Sequence, residues 1–230
     1  MKSLACVMKA DITIPDFSSI SKRSMTLPRH ILTKAKEPGS IVIVDSTGLK
    51  GYGKDEWHQE KHAVPARRTW RRLHLAIDEN HNVLACELTT PEVGDPRAVP
   101  DLLDQITTSF DTFMGDGAYD GEPVSQAVLN KQPGAQVVIP SHKNAVCSDA
   151  GDTQRDRHIQ TIARQGRIAW QQKTSYNLRS HVELAMQRYK RIFGNTLKAR
   201  ALPQQKTEAW ISASALNRMI SLGMPVSVKI

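Results

Sequence analysis

Cysteine is scarce and scattered: Cys6, Cys86 and Cys147 are the only three in 230 residues. No Cys-x-x-Cys pair occurs, so neither a disulfide framework nor a zinc knuckle is indicated, and a reducing compartment is the expectation. Long apolar runs are missing too. No stretch of 18 apolar residues exists, so no transmembrane helix and no membrane partner are expected. The opening residues are interrupted by Lys9 and Asp11 and lack the long apolar core of a secretion signal. A cytoplasmic location is the resulting expectation. No internal repeat or low-complexity tract is present.

Acidic residues are the third shortage, and this one is local. The chain carries a net charge of +8. From Arg155 to Arg200, eleven Lys and Arg residues are opposed only by Asp156 and Glu183. A polyanion is the natural partner of such a surface; the plainer alternative is a solvated basic face that aids solubility.

What the chain does have is enough length and apolar content (40%) for one domain with a core plus extensions. Ile41-Val42-Ile43-Val44 is a β-branched run and reads as a buried strand. Its end delivers Asp45-Ser46-Thr47-Gly48. Trp70–Ile77 alternates, Asp78–Asn82 turns, and Val83–Leu88 returns as a hairpin. A helix over Ala98–Ile106 follows, with Asp95 as its cap. A short strand from Thr112 ends at Asp116, flanked by Gly115 and Gly117. Glu122–Asn130 reads as helix and Gln136–Ile139 as strand. Residues 155–194 read as helical with a break near Lys173-Thr174-Ser175, and Lys206–Leu222 as an amphipathic helix. Ahead of all this, residues 1–39 form a lead-in. A helix capped by Asp16 or Ser18, packed through Ile20, Met25 and Leu27 and ended by Pro28, is expected there. The order β, ββ hairpin, α, β, α, β, then helices is that of a ribonuclease-H-like α/β fold: a mixed five-stranded sheet flanked by helices.

Two patterns carry chemistry. In the helix near residue 180, Tyr176, Arg179, Glu183 and Lys190 fall within an arc of about 60°. Beside them runs an apolar stripe, Leu178, Val182, Met186, Tyr189 and Phe193. Taken alone, Arg179 and Glu183 are equally an i,i+4 ion pair on a solvated face. The second pattern is basic and aromatic: Lys50, Lys54, Lys61, Arg67, Arg68, Arg71 and Arg72 interleave with Tyr52, Trp57 and Trp70. Such a stretch can reach phosphates and stack on bases, or it can be a loop clamped by its tryptophans. If the strands ending at Asp45 and Asp116 are neighbours and the later helix crosses them, Glu183 joins two aspartates. Three carboxylates without His or Cys suit Mg²⁺ or Mn²⁺, and two such ions serve in-line phosphoryl transfer.

In these features the sequence resembles the bacterial insertion-sequence transposases of the DDE type, and is most similar to the insertion-sequence-five group. That family has the motif Tyr-x2-Arg-x3-Glu-x6-Lys, matched by Tyr176, Arg179, Glu183 and Lys190. Its first Asp lies in Asp-Ser-Thr-Gly, matched at 45–48, and its second in Asp-Gly-x-Tyr, matched at 116–119. Arg68–Leu75, Arg188-Tyr189-Lys190-Arg191 and Leu216–Met219 also look like this group.

The resemblance implies that Asp45, Asp116 and Glu183 hold the ions. Water then attacks the phosphodiester at the element end, and the freed 3′-OH attacks target DNA. It also implies DNA contacts from Tyr176, Arg179 and Lys190, and a homodimer in the synaptic complex. Lys50, Arg68, Arg71, Arg188 and Arg191 are the further DNA-binding candidates. Asp120 is read as a helix cap rather than a ligand. Residues 1–39 resemble the end of a longer N-terminal region, so a truncated copy is expected, with residues 40–225 as the catalytic domain. The competing readings are a metal-dependent nuclease without strand transfer and an inactive DNA-binding remnant; a glycosidase using paired carboxylates is more distant.

Overall fold

The computed structural model describes residues 6–7, 9, 11, 13–27, 40–51, 70–149 and 152–223. A mixed sheet organises it, with strand order β3-β2-β1-β4-β5. The strands are β1 (Ile41–Gly51), β2 (Trp70–Ile77), β3 (Val83–Thr89), β4 (Thr112–Met114) and β5 (Gln136–Val138). A sixth, two-residue strand β6 (Thr196–Leu197) pairs with the far end of β1 and has no signature in the sequence. β1 to β3 are antiparallel, while β4 and β5 run parallel to β1.

The helices are α1 (Phe17–Arg23), α2 (Asp95–Gln105), α3 (Glu122–Lys131), α4 (Gln154–Lys173), α5 (Ser180–Phe193) and α6 (Leu202–Ser221). They cover the sheet on both faces, because alternate residues of β1 are buried on each. Val42 and Val44 belong to a core shared with Val99, Leu102 and Val128 of α2 and α3. Ile43 and Leu49 belong to another, shared with Val182, Met186 and Tyr189 of α5 and Leu216 of α6. Burying each such side chain contributes about 1.5–3 kcal/mol, which is why the β-branched run sits at the centre. The apolar stripe expected on α5 is the one that packs: Val182, Met186 and Tyr189 are buried, with Leu178 and Phe193 against them. Asn217 of α6 clips onto β3, its amide exchanging two 2.7 Å bonds with the backbone of Val83.

Several local expectations are corrected. β1 does not end at Asp45 but continues to Gly51, because the antiparallel partner β2 pairs with it as far as Lys50. Asp95 does not cap α2. It is the first helical residue, behind Gly94, and its carboxylate turns to Arg72 instead. Tyr176–Arg179 is a 3-10 turn, set up by Ser175 at φ 53°, with α5 starting only at Ser180. In a 3-10 turn positions i and i+3 eclipse, so Tyr176 and Arg179 keep a common face. Helix α1 stops at Arg23, and Ile20, Met25 and Leu27 remain 40–47% exposed rather than packed. α4 bends at Gly166, whose φ of 81° interrupts the helix.

Candidate active site

One edge of β1 is paired at both ends and open between. β4 pairs with Ile41–Ile43 and β6 with Lys50–Gly51, so residues 44–49 have no strand neighbour on that side among the described residues. Asp45 lies in this gap. The parallel register sets Ile41 opposite Thr112 and Ile43 opposite Met114. Carried two residues on, the same register sets position 45 opposite position 116. Adjacent strands run about 4.8 Å apart; β4 itself stops at Met114, two residues short of Asp116, and the charge of Asp116 reaches Asp45.

Past Met114 the chain turns sharply. A Cβ on Gly115 would lie 3.0 Å from Cδ2 of Tyr119, so glycine is what lets this turn close. The Asp116 carboxylate caps the 3-10 turn Gly117–Tyr119, accepting from the Ala118 N–H at 2.9 Å. From the other side, the Tyr176 hydroxyl donates to the Gly115 carbonyl at 3.2 Å.

Glu183 is in the first turn of α5, where the helix dipole favours a carboxylate. Its link to β1 is Arg179. One guanidinium nitrogen donates to Glu183 Oε1 at 2.7 Å and another to Asp45 Oδ2 at 3.0 Å. Burial pushes the Asp45 carboxyl above the usual carboxylate range. The Ser46 N–H and Arg179 oppose that shift, and the charges of Asp116 and Glu183 add to it. The three acids therefore share one electrostatic neighbourhood, although they come from a strand, a turn and a helix.

Among the described residues no three His, Cys, Asp or Glu side chains close into a ready-made metal cage; the Arg179 fork lies between Asp45 and Glu183. The donor chemistry still fits a hard divalent cation. It offers carboxylate oxygens only, and the half-buried Asp45 feels the charges of both Asp116 and Glu183.

A family model described as "Transposase DDE domain" matches residues 36–218. The chain belongs to the DDE transposase family. A second model of the same description matches residues 1–54. The α/β sheet with helices on both faces is consistent with the ribonuclease-H-like fold of DDE transposases, and members of this family act on DNA.

The remaining candidate residues of this transposase fall in different places. Tyr176 is 8% exposed and its ring lies tilted against Trp170, centroids 5.0 Å apart, so it braces the Asp116 turn from behind rather than facing outward. Arg71 is tied to α6 by a 2.8 Å bond to Gln205. Lys50 donates its backbone N–H to the Asn195 carbonyl, at the β6 end of the gap. Lys190 is half-buried two turns along α5 from Glu183, and Arg191 beside it is exposed. Arg188 is half-buried, and its charge adds to the burial and the His181 charge that lower the His81 pKa. Arg68 lies outside the described residues, as does most of the basic and aromatic stretch before Trp70. The exposed cations of α4 are Arg157, Arg164, Arg167 and Lys173.

Asp120, expected as a helix cap, is an ion partner instead. Arg155 reaches it at 2.7 and 3.1 Å, and α3 begins behind Gly121 with no side-chain cap. Sequence reasoning missed a buried polar group on the opposite face of the sheet. His74 bonds Thr89 at 2.9 Å and faces Asp95 at 3.6 Å, while Asp95 holds Arg72 at 3.0 Å. The alternation of β2 put Leu73, Leu75 and Ile77 on one face. The only signal for the other was the Trp70-Arg72-His74 series, which reads as solvent-facing. A groove of about 900 Å³ lies between α1, α5 and α6, with none of the three carboxylates in its lining. Among the described residues no helix is long and apolar enough to cross a membrane.

Proposed function

We propose that this chain is a DNA transposase that cleaves insertion-sequence ends and transfers the freed strand to target DNA in a divalent-metal-dependent reaction. Asp45, Asp116 and Glu183 are the residues that would hold Mg²⁺ or Mn²⁺. The chemistry such ions supply is activation of the attacking hydroxyl and stabilisation of the leaving 3′-oxygen. What supports the reading is one observation above all: β1 and β4 pair side by side just ahead of Asp45 and Asp116, and Arg179 ties Asp45 to Glu183.

The chain's own residues have separable tasks. The rigid centre of β1 fixes Asp45, and the turn braced by Tyr176 fixes Asp116. Arg179 neutralises the acids and offers a cation beside the reacting phosphate, where charge grows in the transition state. Lys190, Arg191 and Lys50 flank the gap as DNA contacts. In the first step water attacks the phosphodiester and the 3′-oxygen leaves. In the second, that 3′-hydroxyl attacks a target phosphodiester, so one P–O bond forms as another breaks. The Tyr-x2-Arg-x3-Glu-x6-Lys motif supports membership of the insertion-sequence-five group, and a dimer pairing two DNA ends belongs to the same proposal.

The test uses DNA carrying the inverted repeats that flank the gene, with Mg²⁺. Wild type yields cleaved and joined products, and chelation removes both. Asp45→Asn, Asp116→Asn and Glu183→Gln each lower the rate by at least about a thousandfold. Cleavage without any joined product would reduce the reading to a nuclease, and full activity in any of the three variants would sink the site assignment.

A further inference from the structure

On the face of the sheet away from Glu183, the open gap of β1 continues into a pocket of about 300 Å³. Ser46, Gly48, Trp70, Arg72 and Asp95 are among its lining residues. The floor is built by an absence of side chain. A Cβ on Gly48 would lie 3.3 Å from Cε3 of the Trp70 indole, so glycine lets the ring lie against the strand. The indole remains 42% exposed, a large aromatic surface left uncovered at the end of β2. Lys50 lies opposite Trp70 in the β1–β2 register. Arg72 is fixed by Asp95 at 3.0 Å, and behind that pair His74 is wholly buried with Nδ1 lacking a hydrogen-bond partner. An exposed aromatic face, the Arg72 guanidinium and a carboxylate that can accept from an amino group form a set that matches one nucleotide. Ser46 and Thr47 follow Asp45 along the open edge of β1, so the pocket lies one residue along the chain from the reacting centre, across the sheet from the Asp45 side chain.

We propose that this pocket takes a single unstacked nucleotide of the DNA strand beside the scissile phosphate, its base lying on the Trp70 indole and its phosphate meeting Arg72. The proposal rests on the DNA-acting reading above and adds a subsite to it. It also explains the glycine of Asp45-Ser46-Thr47-Gly48, which the carboxylate chemistry does not need.

The experiment measures binding by fluorescence anisotropy, with a labelled forked DNA duplex as the probe. A single abasic site is walked through the unpaired arm. With wild type, one position should weaken binding by about five- to a hundredfold, the worth of one stacked base. Trp70→Ala should weaken binding to intact DNA by a similar factor and lose nothing further at that abasic position. Trp70→Phe should restore most of the effect, while Trp70→Leu, which keeps bulk without a π face, should not. A wild type indifferent to every abasic site overturns the pocket, as does a Trp70→Ala loss that multiplies with the abasic loss. If wild type fails to bind the intact probe at all, the DNA-acting reading falls first. Binding by wild type with no Trp70 dependence removes only the nucleotide site. The abasic walk on wild type needs no variant, so a misfolded Trp70→Ala leaves the test standing.

Discussion

Arg179 on the 3-10 turn before α5 reaches Asp45 at the centre of β1, 3.0 Å from nitrogen to oxygen, and both side chains are mostly shielded from water. The pair joins the segment that opens α5 to the centre of the sheet. Removing one partner of a shielded pair costs more than the pair contributes, because the other charge is left uncompensated. Arg179→Ala should therefore destabilise the fold by about 1–3 kcal/mol at pH 7. Burial already raises the Asp45 pKa, and loss of the guanidinium raises it further. The sign follows: with Asp45 protonated in the fold, the unpaired charge vanishes, so the loss should shrink toward pH 4. Urea midpoints at pH 7 and 4.5 check this. An equal loss at both would show that the cost is one of packing, not charge.

Tyr176 lends itself to a test that separates bracing from DNA contact. Its hydroxyl, raised to a pKa of about 12 by burial, stays protonated and donates to the Gly115 carbonyl. Tyr176→Phe removes that bond alone, at about 0.5–1.5 kcal/mol of stability. The freed turn should mis-set Asp116 and lower turnover while DNA affinity holds. A fall in affinity with unchanged turnover would make Tyr176 a DNA contact instead.

Much of this was legible in the sequence because it depends on local rules. β-branched runs and alternation located β1, β2 and β3, and the 3.6-residue apolar stripe located α5. The difference between positions 45 and 116 equals the offset of the β1–β4 pairing, so each motif follows directly on the paired stretch of its strand. What escaped depends on partners distant in the chain. Whether β1 stops at Asp45 is decided by β2, and whether Asp95 or Asp120 caps a helix is decided by Arg72 and Arg155. Neither arginine is near its partner in sequence. Ile20, Met25 and Leu27 carry an apolar pattern that predicts packing, yet they stay exposed: hydrophobicity states a preference and does not name a surface.

Asp120 supplies the control for Asp116. Its side chain is 3% exposed and its partner Arg155 29%. Asp120→Ala strands the Arg155 guanidinium and loosens its hold on the Val146 carbonyl. A loss of about 2 kcal/mol is expected, read as a lower urea midpoint. Cleavage per folded molecule should be unchanged, whereas Asp116→Ala should be inactive per folded molecule, with about 1 kcal/mol lost along with its bond to the Ala118 N–H. The reverse outcome would move the second catalytic acid to position 120.

His74 sets a pH dependence that does not involve the carboxylates. Burial drives its pKa down to about 4, with the Asp95 charge opposing that shift and the Arg72 charge assisting it. The unfolded chain takes up a proton near pH 6.5, and the folded one only near 4. Between these values the unfolded state binds more protons, so stability is full above pH 6.5 and is lost as pH falls through the window. The slope is about 1.4 kcal/mol per pH unit, and the loss reaches about 3 kcal/mol. His81 and His158 are also held below their ordinary value by burial and add to the wild-type slope. His74→Gln, which keeps a polar partner for Thr89, should therefore make the profile shallower by about one proton without flattening it. Urea titrations at half-unit steps from pH 7 to 4.5 measure both slopes. Identical slopes would mean that His74 charges in the folded state, and that Asp95 governs its titration more strongly than burial does.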